Sequence, residues 1–387
     1  MVEAKNVKMR HAKTKHSGMV GRLITRAIAI VLGAALALVG VTAFSLNNQI
    51  QAHGIKLVDA NGRAIKPPTT EDLKGALNIL LVGSDTRSGQ SGVFGHETSV
   101  LADVIILIHI SKDRKNVVAT SFPRDLMVPW PSCPDPKGGS PYLAQSYGQI
   151  NATINNGGPG CTLLTVEKMT GLKIPYLAMV NFQGVIEMSD AIGGVEVCLS
   201  RPITDKYTFL NLPAGKNILQ GMRALQFLRT RHGVGDGSDL GRISNQQVFL
   251  TSLMRKIKNG GVLSNPIQLY SLANAAARNM TLSSSLSDVG TMVAIASSLK
   301  SVDLNKITFI QIPNKTGLPA PYSGRVALDD AHAAIIFQKL QNDQPILVSG
   351  NHTGIGTTNQ TGSNNADSTD TLDWLTGTNS AITTCSG

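Results

Sequence analysis

Acidic and basic residues recur at the ends of apolar runs in this chain, and their types suggest one chemistry. In NILLVGSDTR (78–87) a run of strand length stops at Gly83, and Asp85 and Arg87 follow two residues apart. Asp103 sits in LADVIIL, and Arg124 and Asp125 lie in SFPRDL. Farther on, FLRTRHG supplies Arg229 and Arg231, and GDGSDLGRISNQQ supplies Asp239, Arg242 and Gln246. Arg229 and Arg231 share a direction if that segment is extended, because strand side chains repeat every two residues. Asp239, Arg242 and Gln246 fall at i, i+3 and i+7, one stripe of a helix. A phosphate-binding loop would usually offer glycines and a lysine. Here the loop offers arginine and carboxylate instead. Excess arginine suits a pyrophosphate held by bidentate guanidinium contacts, and paired carboxylates suit a hard divalent cation.

These groups need a scaffold that gathers strand ends. Near-continuous apolar runs at Leu77–Val82, Val104–Ile110 and Val117–Phe122 read as strands buried on both faces. The charged turn Lys112–Asn116 is short enough to imply an antiparallel hairpin, so the sheet is expected to be mixed. Helices are predicted over Thr162–Thr170, Gly221–Leu228, Pro266–Asn279, Asp288–Lys300 and Asp330–Gln341, with a strand at Lys306–Ile312. A long helix should begin at Asp239, read as its cap, and close near Gly260-Gly261. The expectation is an α/β fold, a mixed central sheet covered by helices on both faces.

Composition bounds the function. The chain has 387 residues, 42% hydrophobic and 16% charged, with a formal net charge of +10. Residues 1–26 hold seven Lys/Arg against one acid, Glu3, so most of that charge lies ahead of an uncharged stretch, Ala27–Phe44. Eighteen such residues make a short bilayer span. The basic stretch before it places residues 1–26 in the cytoplasm and everything after residue 45 outside. A cleaved signal peptide competes with this reading, but the apolar stretch is long for one and no clean A-x-A site follows. The body is only mildly basic, which argues against a nucleic-acid surface. Residues 46–74 read as a polar connector, 75–345 as the extracytoplasmic α/β domain, and 346–387, rich in Gly, Thr, Asn and Ser, as a flexible tail. The four cysteines match no zinc spacing and lie where disulfides persist. Cys133 and Cys161 flank one loop region and are expected to pair, which leaves Cys198 and Cys385 as the remainder.

Four stretches in order, NILLVGSDTR, ADVIILIHISKDRKNVVATSFPRDL, INATINNGGPGC and ALQFLRTRHGVGDGSDLGRISNQQVF, resemble the LytR-CpsA-Psr family of cell-wall glycopolymer ligases. The resemblance spans roughly residues 76–262. It implies a membrane-anchored protein, one helix in the cell membrane and an extracellular α/β/α domain. That domain would transfer an anionic glycopolymer, such as teichoic acid, from a polyprenyl-pyrophosphate carrier to peptidoglycan as a phosphodiester. By the same resemblance Asp85 and Asp103 are the acids associated with magnesium (or manganese). Arg124, Arg229, Arg231 and Arg242 bind the pyrophosphate, with Gln246 as companion; Arg87 joins them from the first loop. Asp239 or Asp103 would be the base. Two positions depart from the family's pattern, Leu101 and Gln149 standing where basic residues are common. A carrier lipid also needs an apolar groove, for which Ala273–Met280 and Thr291–Leu299 could supply faces, although plain core is the simpler reading of both. Alternatives are a polyprenyl-pyrophosphate binder, a pyrophosphatase, or a membrane-anchored transcriptional attenuator. The attenuator would have only residues 1–26 with which to hold nucleic acid, too few and too unpatterned for a helix-turn-helix.

Overall fold

The structure is a computed structural model that describes residues 54–65, 72–85, 100–262, 265–287, 289–360 and 371–387. The expected cytoplasmic segment (1–26), membrane helix (27–45) and Arg87 lie outside the described residues. No helix among the described residues is long and apolar enough to cross a membrane.

The strands are β1 (Leu77–Ser84), β2 (Ala102–Ile110), β3 (Val117–Phe122), β4 (Leu126–Trp130), β5 (Gln145–Gln149) and β6 (Tyr176–Val180). Next come β7 (Val195–Leu199), β8 (Ile203–Asp205), β9 (Leu210–Leu212), β10 (Gly215–Leu219) and β11 (Met280–Leu282). Then follow β12 (Ile307–Gln311), β13 (Asn314–Lys315), β14 (Val326–Leu328), β15 (Thr357–Asn359), β16 (Gly377–Asn379) and β17 (Thr384–Ser386). The α-helices among the described residues are α1 (Gly158–Thr170), α2 (Phe182–Ala191), α3 (Met222–Arg229), α4 (Asp239–Asn259), α5 (Pro266–Asn279), α6 (Val289–Lys300) and α7 (Asp330–Gln341).

Seven strands form the central sheet in the order β11-β6-β1-β2-β3-β12-β16. It is mixed as expected: β1, β2 and β3 run antiparallel, while β6 pairs with β1 and β12 with β3 in parallel. The alternation along β1 and β2 separates two faces. Leu80, Val82, Ile105 and Leu107 enter a packed core with Leu163 and Val166 of α1 and Ile336, Phe337 and Leu340 of α7. Leu81, Gly83, Val104 and Ile106 point the other way, toward α2, α3, α4 and α5. The two faces therefore do different jobs, one closing a solid core and the other a cavity. A second core gathers Val195, Val197 and Leu199 of β7 with Phe227 of α3 and Val248 and Phe249 of α4.

The described residues 346–360 and 371–387 fold against the body, where composition suggests a flexible tail. Strand β16 extends the central sheet beside β12, and β17 inserts between β7 and β15. Four isolated apolar residues, Ile346, Val348, Leu375 and Ile382, are buried, each worth roughly 1.5–3 kcal/mol. Short side chains do the rest: Thr378 and Thr384 join hydroxyls at 2.9 Å, and a Cys198–Cys385 disulfide pins β17 to β7. The connector is also more than a linker. Ile55 bridges to Ser283, and Leu57 is buried in the first core.

Candidate functional site

The site is built at the β1–β2 ends. Their antiparallel register pairs Gly83 with Val104 but Ser84 with Ala102, so Asp103 is the extra residue of a bulge. Bulges re-aim side chains, and this one presents Asp103 beside the loop that carries Asp85. The two acids are brought to neighbouring positions as the sequence implies: the Asp85 and Leu101 backbones pair, and the Leu101 amide donates to Asp85 Oδ1 at 2.7 Å. Gly83 permits the close approach, since a Cβ there would lie 2.9 Å from that of Val104.

A charged cluster fills the space beyond. Arg124 Nη1 donates to Asp103 Oδ1 at 2.5 Å, and its backbone amide donates to Asp239 Oδ2 at 3.2 Å. Arg242 reaches Asp239 Oδ1 at 2.6 Å and donates to the Asp103 carbonyl at 2.7 Å. Burial works against the Arg124 charge, but Asp103, Asp239 and Asp125 outweigh it and hold the pKa above the usual guanidinium value. Asp103 Oδ2 accepts no hydrogen bond among the described residues. The backbone around Arg124 is braced by the INATIN turn, where the Asn151 amide donates to the Arg124 carbonyl at 3.3 Å.

Helix α4 is capped by Ser238, whose hydroxyl accepts from the Gly241 amide at 3.2 Å, and not by Asp239. Asp239 is instead the first helical residue. That position leaves its carboxylate at the positive end of the helix and turned to both arginines. Arg242 and Gln246 are buried on the same helix, and Gln246 Nε2 donates to the Leu228 carbonyl at 3.0 Å.

Arg231 differs from its neighbours. It is half-buried, its Nε has no hydrogen-bond acceptor, and no carboxylate among the described residues lies within ion-pair distance. Burial, then repulsion from Arg124, pulls its pKa below the usual value, with Arg242 adding to the effect. Asp205, unremarked in the sequence, holds it there. The Asp205 Oδ2 accepts the Thr230 hydroxyl at 2.6 Å and the Arg231 amide at 3.2 Å. Burial opposes the Asp205 charge, yet these bonds and that from the Tyr207 amide keep its pKa low. The segment is further steadied by β17 and its neighbour: the Gly235 amide donates to the Gly387 carbonyl at 3.1 Å.

The condition on which Arg229 and Arg231 would share a direction, an extended segment, is not met. Arg229 is the last residue of α3, and only Thr230 turns extended. Arg229 and Arg231 therefore diverge. The Arg229 guanidinium lies over the Phe182 ring at 4.3 Å, at the edge of an apolar cavity.

That cavity, of about 400 Å³, lies under the second face of the sheet. Leu81, Val104 and Ile106 floor it, and Met188, Leu225, Phe249, Leu253 and Leu272 wall it. Asp103, Arg229, Arg242 and Gln246 stand in its lining beside the smaller polar residues Ser84, Asn181 and Ser189. Of the two segments weighed for an apolar groove, Ala273–Met280 contributes Ala276 and Met280 to the lining. The expected Cys133–Cys161 disulfide is present and ties the β4–β5 loop to α1. A second residue missed by the sequence reading is Arg325, whose Nη1 donates to Asp125 Oδ1 at 2.8 Å. Gln149 donates to the same oxygen at 2.5 Å. Arg325 thus brings a charge close to the place where Gln149 stands for a basic residue.

Comparison with known proteins gives the chain relatives in sequence and in fold. The chain is 30% identical over 283 residues to the cell wall biosynthesis protein LcpA of Corynebacterium glutamicum, covering 65% of this chain and 52% of LcpA. It is 32% identical over 184 residues to the polyisoprenyl-teichoic acid–peptidoglycan teichoic acid transferase TagU of Oceanobacillus iheyensis, covering 47% and 52% respectively. The chain spans about half the length of these two relatives. Among solved structures, the LytR-Csp2A-Psr enzyme of Actinomyces oris superposes with a TM-score of 0.54 at 25% identity, over 74% of this chain and 96% of that one. The LytR_cpsA_psr family model matches residues 43–343, which take in the bulged strand pair, the arginine cluster and the cavity, and the chain belongs to that family.

Proposed function

We propose that the protein transfers an anionic glycopolymer from a polyprenyl-pyrophosphate carrier to peptidoglycan and joins the two by a phosphodiester bond. The observation that carries this reading is the apolar cavity that ends on arginines. A ligand matching it has a long hydrocarbon tail and a multiply charged anionic head, which describes a polyprenyl pyrophosphate. The names of the relatives agree, since TagU is a transferase of polyisoprenyl-linked teichoic acid to peptidoglycan.

In the reaction a hydroxyl oxygen of peptidoglycan bonds to the sugar-linked phosphorus. The bond from that phosphorus to the bridging oxygen breaks, and polyprenyl phosphate leaves with the electron pair. Such transfers need positioning and charge stabilisation more than covalent help. Arg124, Arg231 and Arg242 bind non-bridging oxygens, and their unfilled Nε donors suit that role. Asp239 has both oxygens engaged by Arg242 and Arg124, so it orients the arginines. Asp103 keeps an open Oδ2, which suits either a cation ligand or the acceptor of the hydroxyl proton.

Magnesium, or manganese, belongs to this reading. Asp85 and Asp103 would hold it, because hard carboxylate oxygens at adjacent strand positions match its preference. When bound, the cation would neutralise pyrophosphate charge and improve the leaving phosphate. The reading also places residues 1–26 in the cytoplasm, 27–45 in the cell membrane, and the described body outside. The test is the full chain given a polyprenyl pyrophosphate with labelled glycan and an uncrosslinked peptidoglycan acceptor. Label in a phosphodiester on peptidoglycan is expected. Label released as free glycan phosphate would make the protein a pyrophosphatase instead.

A further inference from the structure

An exposed aromatic ledge, linked to the charged cluster through Asp125, contributes no residue to the lining of the apolar cavity. Tyr147 and Tyr322 meet edge to face, with ring centroids 5.0 Å apart at 88°. They are 39% and 36% exposed, so neither is spent on core packing. Each delivers a polar partner to one atom of the site. Tyr147 lies two residues before Gln149 on β5, and Gln149 donates to Asp125 Oδ1. Arg325 follows Tyr322 in a turn closed by its amide on the Tyr322 carbonyl at 3.0 Å, and donates to the same oxygen. Asp125 is the immediate neighbour of Arg124. The ledge is rigidly mounted. Gly148 lets β5 lie against Trp130, where a Cβ would fall 2.7 Å from the indole, and the Cys133–Cys161 bridge ties down the loop before β5.

Attacking and leaving oxygens of a phosphoryl transfer stand roughly in line. The leaving phosphate carries the lipid, and the lipid's cavity is lined by Asp103 and Arg242 but by neither Arg124 nor Asp125. The acceptor therefore arrives from the Arg124–Asp125 side, where the ledge is. A pyranose ring presents a face of C–H groups that fits an aromatic surface, and its rim of hydroxyls fits a few placed donors. Two tyrosines with an arginine and a glutamine supply that combination. Resting on the transferase reading, the geometry points to Tyr147, Tyr322 and Arg325 as the acceptor subsite. A sugar ring of the peptidoglycan glycan strand lies on the tyrosines and presents its hydroxyl to Arg124.

The test uses the full chain with Tyr147→Ala, Tyr322→Ala and the corresponding Phe variants. Each Ala variant should raise KM for an uncrosslinked glycan strand by about five-fold, as expected for loss of an aromatic contact. Carrier affinity should stay unchanged, and the Phe variants should behave as the parent, since stacking and not the hydroxyl is at work. An unchanged acceptor KM in both Ala variants would overturn the assignment, as would an equal loss of carrier affinity. A second arm measures retention of the protein on purified, carrier-free peptidoglycan. Weaker retention of the Ala variants supports the ledge even if the parent protein only hydrolyses the carrier, an outcome that sinks the transferase reading alone. Equal retention of all variants counts against the ledge even where transfer proceeds.

Discussion

Arg231 offers a sharp test, because its removal should harm binding without harming the fold. This guanidinium has no carboxylate within ion-pair distance among the described residues, and its Nε is buried without an acceptor. Arg124 and Arg242 repel it. Substitution by Met keeps the length of the side chain and deletes the charge. A charge-assisted hydrogen bond to the carrier's pyrophosphate is worth about 1.5–3 kcal/mol, so Arg231→Met should weaken carrier binding roughly 10- to 150-fold. Stability in urea without carrier should hold or rise by up to about 1 kcal/mol, the gain being limited because the group is partly solvated. Arg242→Met is the counterpart. Its partner Asp239 lies 2.6 Å away, with side-chain exposures of 5% and 8% for the pair. Breaking a buried pair on one side typically costs about 3–5 kcal/mol. Titration of each variant with a polyprenyl pyrophosphate, beside urea unfolding at matched slopes, reads both quantities. If Arg231→Met unfolds as easily as Arg242→Met, or binds carrier like the parent, the surplus-charge argument is wrong.

Asp85→Ala and Asp103→Ala should each abolish metal-dependent transfer and weaken magnesium binding measured by calorimetry on the unloaded protein; undiminished transfer in a chelator would remove the two-acid site. Loss of the Cys198–Cys385 bridge by paired Ala substitution should cost about 5 kcal/mol by the chain-entropy argument for its loop of 187 residues, read by denaturant unfolding; a change below about 1 kcal/mol would refute it. Burial holds the Glu167 carboxyl above its ordinary value of 4.5, only partly offset by the Ile174 amide and Lys173. A raised folded pKa means that this residue's contribution is fully present below pH 4.5 and is lost as pH rises through the folded value. Glu167→Gln keeps the acceptor for the Ile174 amide and should flatten that decline, leaving stability at pH 7 equal or higher. Protease added to intact spheroplasts should digest the body of the protein; full protection would reverse the proposed topology.

What could be read from the sequence follows from where the apolar residues are dense. Leu77–Val82, Val104–Ile110 and Val117–Phe122 are apolar on both faces, and their strands formed as expected. The same density could not reveal that one face borders a cavity, because Leu81 and Ile106 look no different from Leu80 and Ile105. Asp85, Asp103 and Arg124 were legible because strand ends carry them together. Arg325 was not, since it stands alone in a loop far along the chain and reaches the site only through Asp125. A shared direction for Arg229 and Arg231 depended on an extended segment, and the helical period of ALQFLR instead carries α3 through Arg229. The strands β15, β16 and β17 were missed because Thr, Ser, Asn and Gly give little apolar signal. Their order comes from partners supplied by distant segments, such as the Asn245 side chain that accepts the Ser386 hydroxyl.

Strand β17 also fixes an order of events. Parallel pairing with β7 joins segments about 190 residues apart, and such pairings form late. Synthesis at about 5–20 residues per second leaves Arg231 waiting on the order of ten to thirty seconds for the strand that steadies its loop. Throughout that interval β7 shows an unsatisfied edge, and the Cys198 thiol has no mate. Cys133 and Cys161 emerge before Cys198, however, and lie only 28 residues apart. They can close first and leave Cys198 with a single legitimate partner still to come. The spacing of the four cysteines thus acts as a timetable, sealing the acceptor side of the site early and the loop that carries Arg231 last.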